Sequence, residues 1–143
     1  MNGFWKTWMR VWCWGVLAFG AVLVLAAVPA LDAAPRFVLG LLGGDPAREA
    51  LLDQTEMRFA FGLQGALTLG WGLTMVAMIG LAHDAGAPVW RSLTVSLLVW
   101  YGIDSLISIS TGFPLNAVSN TLLTVGYLAP VLASGVLRGP RPA

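Results

Sequence analysis

The chain has 143 residues, of which 57% are hydrophobic and only 10% are charged, and its mean hydropathy is +0.77. A soluble domain of this composition would lack the polar side chains needed to cover its surface, so the composition predicts a membrane protein. The formal net charge of +1 excludes the basic surface that nucleic-acid binding requires. One cysteine and one histidine exclude an internal disulfide and an ordinary structural zinc site.

The chain begins with "MNGFWKTWMRVWCWGVLAFG", a segment rich in tryptophan beside Lys6 and Arg10. Indole rings settle where hydrocarbon meets water, and basic residues prefer the cytoplasmic side of that boundary. Trp5, Trp8 and Trp12 are spaced i, i+3, i+7 and share one helical face. We expect this face either to anchor the chain at the membrane boundary or to dock onto a protein partner.

Uncharged segments predict an all-α integral membrane bundle of four transmembrane helices. A span needs about 20 apolar residues, so the whole chain, 1–143, forms a single domain with little room for a soluble part. The predicted spans cover about residues 9–29, 58–82, 89–111 and 114–137.

The first outer loop, between the first two spans, contains a further apolar stretch. "PRFVLGLLGG" is too short to cross a bilayer and predicts a short interfacial helix. After it, Asp45 and Pro46 are typical of a helix start. We therefore expect the second helix to start near Pro46, before the span. If it runs unbroken to Ala82, it is about 55 Å long, and part of it lies outside a hydrocarbon core about 30 Å thick.

Small residues recur every four positions in the second span, at Gly62, Ala66 and Gly70. Such a ridge lets another helix backbone approach closely. We predict that these three residues form a helix-packing surface.

Polar residues in the last two spans are placed at matching depths. Asp104 precedes Gly112, at the hairpin turn, by the same number of residues as Asn120 follows it. The same holds for Ser108 and Asn116. Because both helices rise about 1.5 Å per residue, each pair is expected to lie level. Two polar stripes are therefore expected to face each other.

The second span adds Gln64 and Thr68 to this predicted intramembrane cluster. A charged carboxylate inside a membrane is costly, so Asp104 should face protein or water rather than lipid. The cluster either fixes the register of the hairpin or forms a polar pocket for a lipophilic ligand or a proton. The sequence contains no grouping typical of a catalytic site, so no catalytic residue, metal or cofactor is predicted, although a bound lipid or other lipophilic molecule remains open.

Lysine and arginine are distributed unevenly between the two sides of the predicted bundle. Five of the eight lie on the side of the chain termini, and the three in the first loop, Arg36, Arg48 and Arg58, lie on the other. This excess predicts that both termini are cytoplasmic. We also expect the membrane to be a bacterial cytoplasmic (inner) membrane.

The order of these features resembles the DoxX-like group of small four-helix bacterial membrane proteins. The resemblance covers nearly the whole chain and rests on the first span ending in proline, on "FVLGLLGG", on the glycine-rich second span and on "DSLISISTGFP" at 104–114. Separately, "MNGFWKTWM" resembles the start of bacterial light-harvesting α polypeptides, although no histidine follows in the first span to bind bacteriochlorophyll.

Together these features predict a non-catalytic accessory or assembly subunit of a larger bacterial membrane complex, with respiratory and photosynthetic complexes as candidates. The expected partners are membrane lipids and an integral-membrane protein. The alternative is a protein that binds a lipophilic ligand, or a membrane enzyme, built around a polar pocket at Asp104.

Overall fold

A computed structural model describes residues 1–138, and every regular element within them is helical. The α-helices are α1 (Gly3–Val24), α2 (Ala33–Gly43), α3 (Thr55–Ala85), α4 (Ala87–Ser110) and α5 (Pro114–Ala133), with 3-10 turns at Leu25–Ala27, Pro29–Leu31 and Pro46–Asp53. By length and composition, the helices Gly3–Ala27, Thr55–Ala85, Ala87–Ser110 and Pro114–Ala133 can each cross a membrane. The predicted all-α fold with four candidate spans is confirmed to this extent, and α2 is the predicted short helix. Arg141, one of the five basic residues counted on the side of the chain termini, lies outside the described residues.

Local signals determine where these helices begin and end. The Asn2 side chain accepts a hydrogen bond from the Trp5 backbone N–H at 3.1 Å, so α1 begins at Gly3 rather than near residue 9. Gly86 and Gly112, with φ of 79° and 82°, allow the left-handed turns that separate α3, α4 and α5. α5 ends at Ala133 rather than near residue 137.

The expectation that the second helix starts near Pro46 is wrong. Residues Pro46–Asp53 form a 3-10 helix, Gln54 is extended with φ −84° and ψ 129°, and α3 begins only at Thr55. The break buries Leu52 completely, against Leu39 of α2 and Ala26. A continuous helix would carry Leu52 away from these two residues, so tertiary burial overrides the favourable helix start at Asp45.

The four long helices form two closely packed pairs. α1 lies along α3, and α4 lies along α5, whereas the pairs α1–α5 and α3–α4 make fewer contacts. The buried side chains then form two separate apolar clusters, which we call the terminal core and the loop core. The terminal core contains Met9, Trp12, Cys13, Val16, Met75, Ile79, Ala82, Trp90, Leu97, Tyr127 and Val131. The loop core contains Ala26, Leu39 and Leu52, with Leu51, Met57, Phe61 and Phe113 packed against it.

Close backbone approach between α1 and α3 depends on Gly20 and Gly65. A Cβ atom on Gly65 would lie 2.8 Å from the carbonyl carbon of Leu23 and 2.9 Å from the carbonyl oxygen of Gly20. A Cβ on Gly20 would lie 2.8 Å from the backbone nitrogen of Leu69. Because these neighbours are backbone atoms of a packed helix, neither glycine can be enlarged without separating α1 from α3.

The predicted packing ridge therefore has the wrong register. Gly62 contacts Ala27, where an added Cβ would lie 3.1 Å from the alanine Cβ, but Ala66 is exposed and Gly70 has no neighbour within 4 Å of such an atom. The surface that α1 contacts instead includes Gly65 and Gly72. These two residues are spaced i, i+7, which places them on one face of α3.

The indoles of Trp8 and Trp12 dock onto α5. Trp8 Nε1 donates to the carbonyl oxygen of Gly126 at 2.8 Å, and Trp12 Nε1 donates to that of Leu123 at 2.9 Å. In a helix, the Gly126 carbonyl would accept the N–H of residue 130, but Pro130 has none. The Trp8 indole therefore satisfies a carbonyl that proline leaves free.

These contacts place part of the tryptophan face against the chain itself, while its expected roles at the membrane boundary or on a partner stay predictions. Trp12 is buried in the terminal core, and Trp8 bonds within the chain although 42% of it is exposed. Trp5 is half-buried, and its ring lies edge-on to Phe4 and Trp8. At least two of the three residues thus help hold α1 against α5.

The α1–α3 contact predicts that Gly65→Ala lowers the thermal stability of the detergent-solubilised protein. Forcing a methyl group against backbone atoms costs about 1–3 kcal/mol. Gly70→Ala is the matched control on the same helix and should be neutral or slightly stabilising, since its methyl group meets nothing within 4 Å. Equal melting temperatures for the two variants would contradict the close approach at Gly65.

The Trp8 hydrogen bond predicts that Trp8→Phe lowers the free energy of unfolding by about 1 kcal/mol, because the Gly126 carbonyl loses its donor. Pro130→Ala restores a backbone N–H that can bond this carbonyl within α5. In that background Trp8→Phe should have little effect, as measured by a double-mutant cycle on melting curves. Trp14→Phe, at an indole 69% exposed, is the control for loss of ring area. Equal effects of Trp8→Phe in both backgrounds would contradict the assignment.

Candidate functional site

A cavity of about 890 Å³ lies between the terminal core and the loop core. Its wall is mainly apolar and is formed by side chains of all four long helices and of α2. The loop-core residues Leu39, Met57 and Phe113 line one end. The cavity exists because the two cores fill opposite ends of the bundle and leave its middle unfilled.

Asp104 is the centre of a hydrogen-bond cluster in this wall. Its Oδ1 atom accepts hydrogen bonds from Ser108 Oγ at 3.1 Å, from Asn116 Nδ2 at 3.0 Å and from Asn120 Nδ2 at 3.0 Å. Asn116 Nδ2 also donates to Ser108 Oγ at 2.7 Å. The pairs Asp104–Asn120 and Ser108–Asn116, expected to lie level across the hairpin, are both in direct contact.

The cluster fastens α4 to α5. A carboxylate buried among apolar side chains is costly unless hydrogen-bond donors compensate it, and hydrogen bonds to charged groups contribute about 1.5–3 kcal/mol each. Here two donors come from α5 and one from α4. A slip of either helix would leave the Asp104 carboxylate without these donors, so the cluster specifies the register of the hairpin.

Gln64 and Thr68 line the same cavity from α3 but do not bond to Asp104. Thr68 Oγ1 donates instead to the carbonyl oxygen of Gln64 at 2.8 Å, within its own helix. The structure therefore divides the predicted polar residues between two walls. Four of them are joined on α4 and α5, and the other two lie on α3.

Aromatic rings form the end of the cavity towards the terminal core. Trp71 and Trp100 both line the cavity, and their rings stack with centroids 5.5 Å apart and an interplanar angle of 30°. Trp12 lies edge-on to Trp71 at 6.0 Å and beside Tyr127 at 5.5 Å. The four aromatic residues are far apart in sequence and lie on four different helices. This aromatic layer therefore forms only when α1, α3, α4 and α5 pack together.

An ion-pair network holds the loop core in place at the other end. Asp32 Oδ2 lies 3.0 Å from Arg36 Nη2 and 2.7 Å from Arg58 Nη2, and Arg36 also pairs with Asp53 at 2.7 Å. Hydrogen bonding to the Arg36 guanidinium, helped by Arg58, lowers the pKa of Asp32 below its usual value of 3.8. The network joins α2 to the 3-10 segment and to the start of α3.

Sequence reasoning missed this network, although part of its signal was present. Asp32 and Arg36 are spaced i, i+4, which favours an ion pair on a helix. The contact between Asp32 and Arg58 had no such signal, because it depends on the break at Gln54. Nearby, the Arg48 guanidinium lies 4.2 Å from the centroid of the Phe113 ring and joins the first loop to the α4–α5 turn.

Within residues 1–138, no group of three or more histidine, cysteine, aspartate or glutamate side chains is placed to hold a metal ion. The described site can form hydrogen bonds with a polar group of a ligand. The surrounding wall is mainly apolar, with aromatic rings at one end. Comparison of the chain with known protein families, with curated proteins and with solved structures gives no match.

Proposed function

We propose that this chain is a multi-pass membrane protein that binds a lipophilic molecule with a polar head group in the cavity beside Asp104. The observation that carries the proposal is the composition of the cavity wall. All six polar residues that the sequence assigns to the intramembrane cluster line it, among apolar and aromatic side chains: Gln64, Thr68, Asp104, Ser108, Asn116 and Asn120. A few convergent polar groups in an apolar cavity are typical of small-molecule sites.

The size of the cavity supports a ligand larger than a few waters. Its volume of about 890 Å³ lies within the range of about 300–1,000 Å³ found for ligand pockets. The apolar body of such a ligand would contact the mainly apolar wall.

The exposure of the wall supports entry from the lipid phase. Ile103 and Ile107 of α4 line the cavity, yet 58% of the first and 56% of the second are exposed. The α3–α4 pair also makes fewer contacts than α1–α3 or α4–α5, which leaves a seam between α3 and α4. A lipophilic molecule dissolved in the bilayer would therefore reach the polar cluster through this seam, without crossing water.

The accessory-subunit hypothesis has less support from the described contacts. It relied on a docking face at the N-terminus, but Trp8 and Trp12 donate their indole N–H groups to α5 of the same chain. A protein partner, including a respiratory or photosynthetic one, therefore stays a prediction. The DoxX-like and light-harvesting resemblances stay predictions as well.

For location, we propose the bacterial cytoplasmic membrane. The lysine and arginine excess supports an orientation with both chain ends in the cytoplasm. A reporter fused after Ala143 should then be active in the cytoplasm, and one inserted at Gly44, an exposed residue after α2, should be active outside. The opposite pattern would reverse the assigned orientation.

The binding proposal predicts that Gly15→Phe blocks ligand uptake without unfolding the protein. Gly15 lines the cavity, and a Cβ added there meets nothing within 4 Å, so the phenyl ring can occupy cavity space. Gly102→Phe is the matched control, since Gly102 is also exposed, has no neighbour within 4 Å of an added Cβ, and lies outside the cavity lining.

The measurement is mass spectrometry of lipophilic molecules that co-purify with each variant in mild detergent, together with its melting curve. Wild type and Gly102→Phe should carry the same stoichiometric molecule, and Gly15→Phe should lose it. Retention by Gly15→Phe would contradict binding in this cavity. A stoichiometric protein partner with no small molecule would favour the accessory-subunit hypothesis instead.

A further inference from the structure

Within the hydrogen-bond cluster of Asp104, Ser108, Asn116 and Asn120, the donors are directed at the cluster itself, and acceptor oxygens are left for a ligand. An amide nitrogen has two hydrogens, and both of those on Asn116 are engaged, by Asp104 Oδ1 at 3.0 Å and by Ser108 Oγ at 2.7 Å. One hydrogen of Asn120 Nδ2 is directed at Asp104 Oδ1 at 3.0 Å, and the acceptor nearest to the other is Ser105 Oγ at 3.5 Å. The two amides on α5 therefore direct their hydrogens into the cluster.

The Ser108 hydroxyl is also engaged. Its single hydrogen is directed at the Asp104 carbonyl oxygen at 2.6 Å, with Asp104 Oδ1 as a second acceptor at 3.1 Å. What remains of the cluster is the second carboxylate oxygen, Asp104 Oδ2, and the amide oxygens of Asn116 and Asn120. None of these three oxygens has a hydrogen-bond partner among the described residues, and all three belong to residues that line the cavity.

We propose that the ligand is a lipophilic alcohol, a molecule whose head group donates a hydrogen bond to the free carboxylate oxygen of Asp104. This inference rests on the proposed function and narrows its ligand class. A hydroxyl group can give its hydrogen to Oδ2, whereas a ketone or an ether has no hydrogen to give and would leave Oδ2 without a partner. The stacked Trp71 and Trp100 rings and the apolar wall then contact the body of the molecule.

The direction of the amide hydrogens of Asn116 and Asn120 explains why the cluster contains asparagine as well as aspartate. The two amides direct their hydrogens at Oδ1, which leaves Oδ2 for the ligand. A protonated Oδ2 would instead donate and would accept an ether as readily as an alcohol. The preference between these two head groups therefore tests the assignment directly.

The test uses two photoreactive probes with the same long alkyl chain, one ending in a hydroxyl group and the other in its methyl ether. A hydrogen bond to a charged acceptor is worth at least a factor of about ten in affinity. The purified full-length protein should therefore be labelled at cavity-lining residues about tenfold more efficiently by the alcohol. The Gly15→Phe variant identifies the labelling that comes from the cavity.

Asp104→Asn provides the matched change, because it keeps the shape and replaces the free acceptor oxygen by an amide donor. The preference for the alcohol should disappear in this variant. Ser110→Ala, on the same helix but outside the cavity lining, should keep the wild-type ratio. A melting curve reports whether each variant is folded, and the wild-type ratio decides the proposal even if Asp104→Asn does not fold.

Each outcome has a separate meaning. Equal labelling of the cavity by both probes, or preference for the ether, overturns the alcohol assignment and leaves ligand binding standing. Absence of cavity labelling by either probe overturns the proposed function together with this inference. A wild-type preference that persists in folded Asp104→Asn overturns the role of the carboxylate.

Discussion

In apolar surroundings, a polar group without a hydrogen-bond partner is costly, because no water is present to compensate it. Two parts of this bundle follow from that constraint. Pro130 frees the Gly126 carbonyl, and the Trp8 indole supplies the missing donor. Asp104 brings a carboxylate into the bundle, and donors from both helices of the hairpin converge on one of its oxygens. In both cases the compensating contact joins two helices, so meeting the constraint also determines how the helices pack.

The two helix pairs are held by different means, and the cavity lies where they meet. α1 and α3 approach closely because Gly20 and Gly65 have no side chains, whereas α4 and α5 are joined by the polar cluster. The terminal core and the loop core then fill the two ends of the bundle. Between the two cores, the polar cluster faces the cavity instead of packed side chains. A contact that fixes the hairpin thereby also provides a possible binding surface.

Much of the candidate site could be predicted from the sequence because it depends on one short hairpin. Residues equally far from Gly112 must lie level when both helices rise by the same amount per residue, and Asp104 indeed meets Asn120. Contacts between distant segments could not be obtained in this way. Trp71 stacks on Trp100, and Asp32 pairs with Arg58, only after the turns and the break at Gln54 have set the helix directions.

The sequence by itself determined the all-helical fold, the number of candidate spans and the face shared by the polar residues of α4 and α5, because length, hydropathy and helical period are local properties. Only the tertiary structure decided which face of α3 meets α1. α3 is apolar on most of its surface, so its sequence pattern did not distinguish Gly65, which packs, from Gly70, which is exposed. The tertiary structure also determined that a cavity exists and how large it is, because its volume depends on how far the two separate cores extend towards each other.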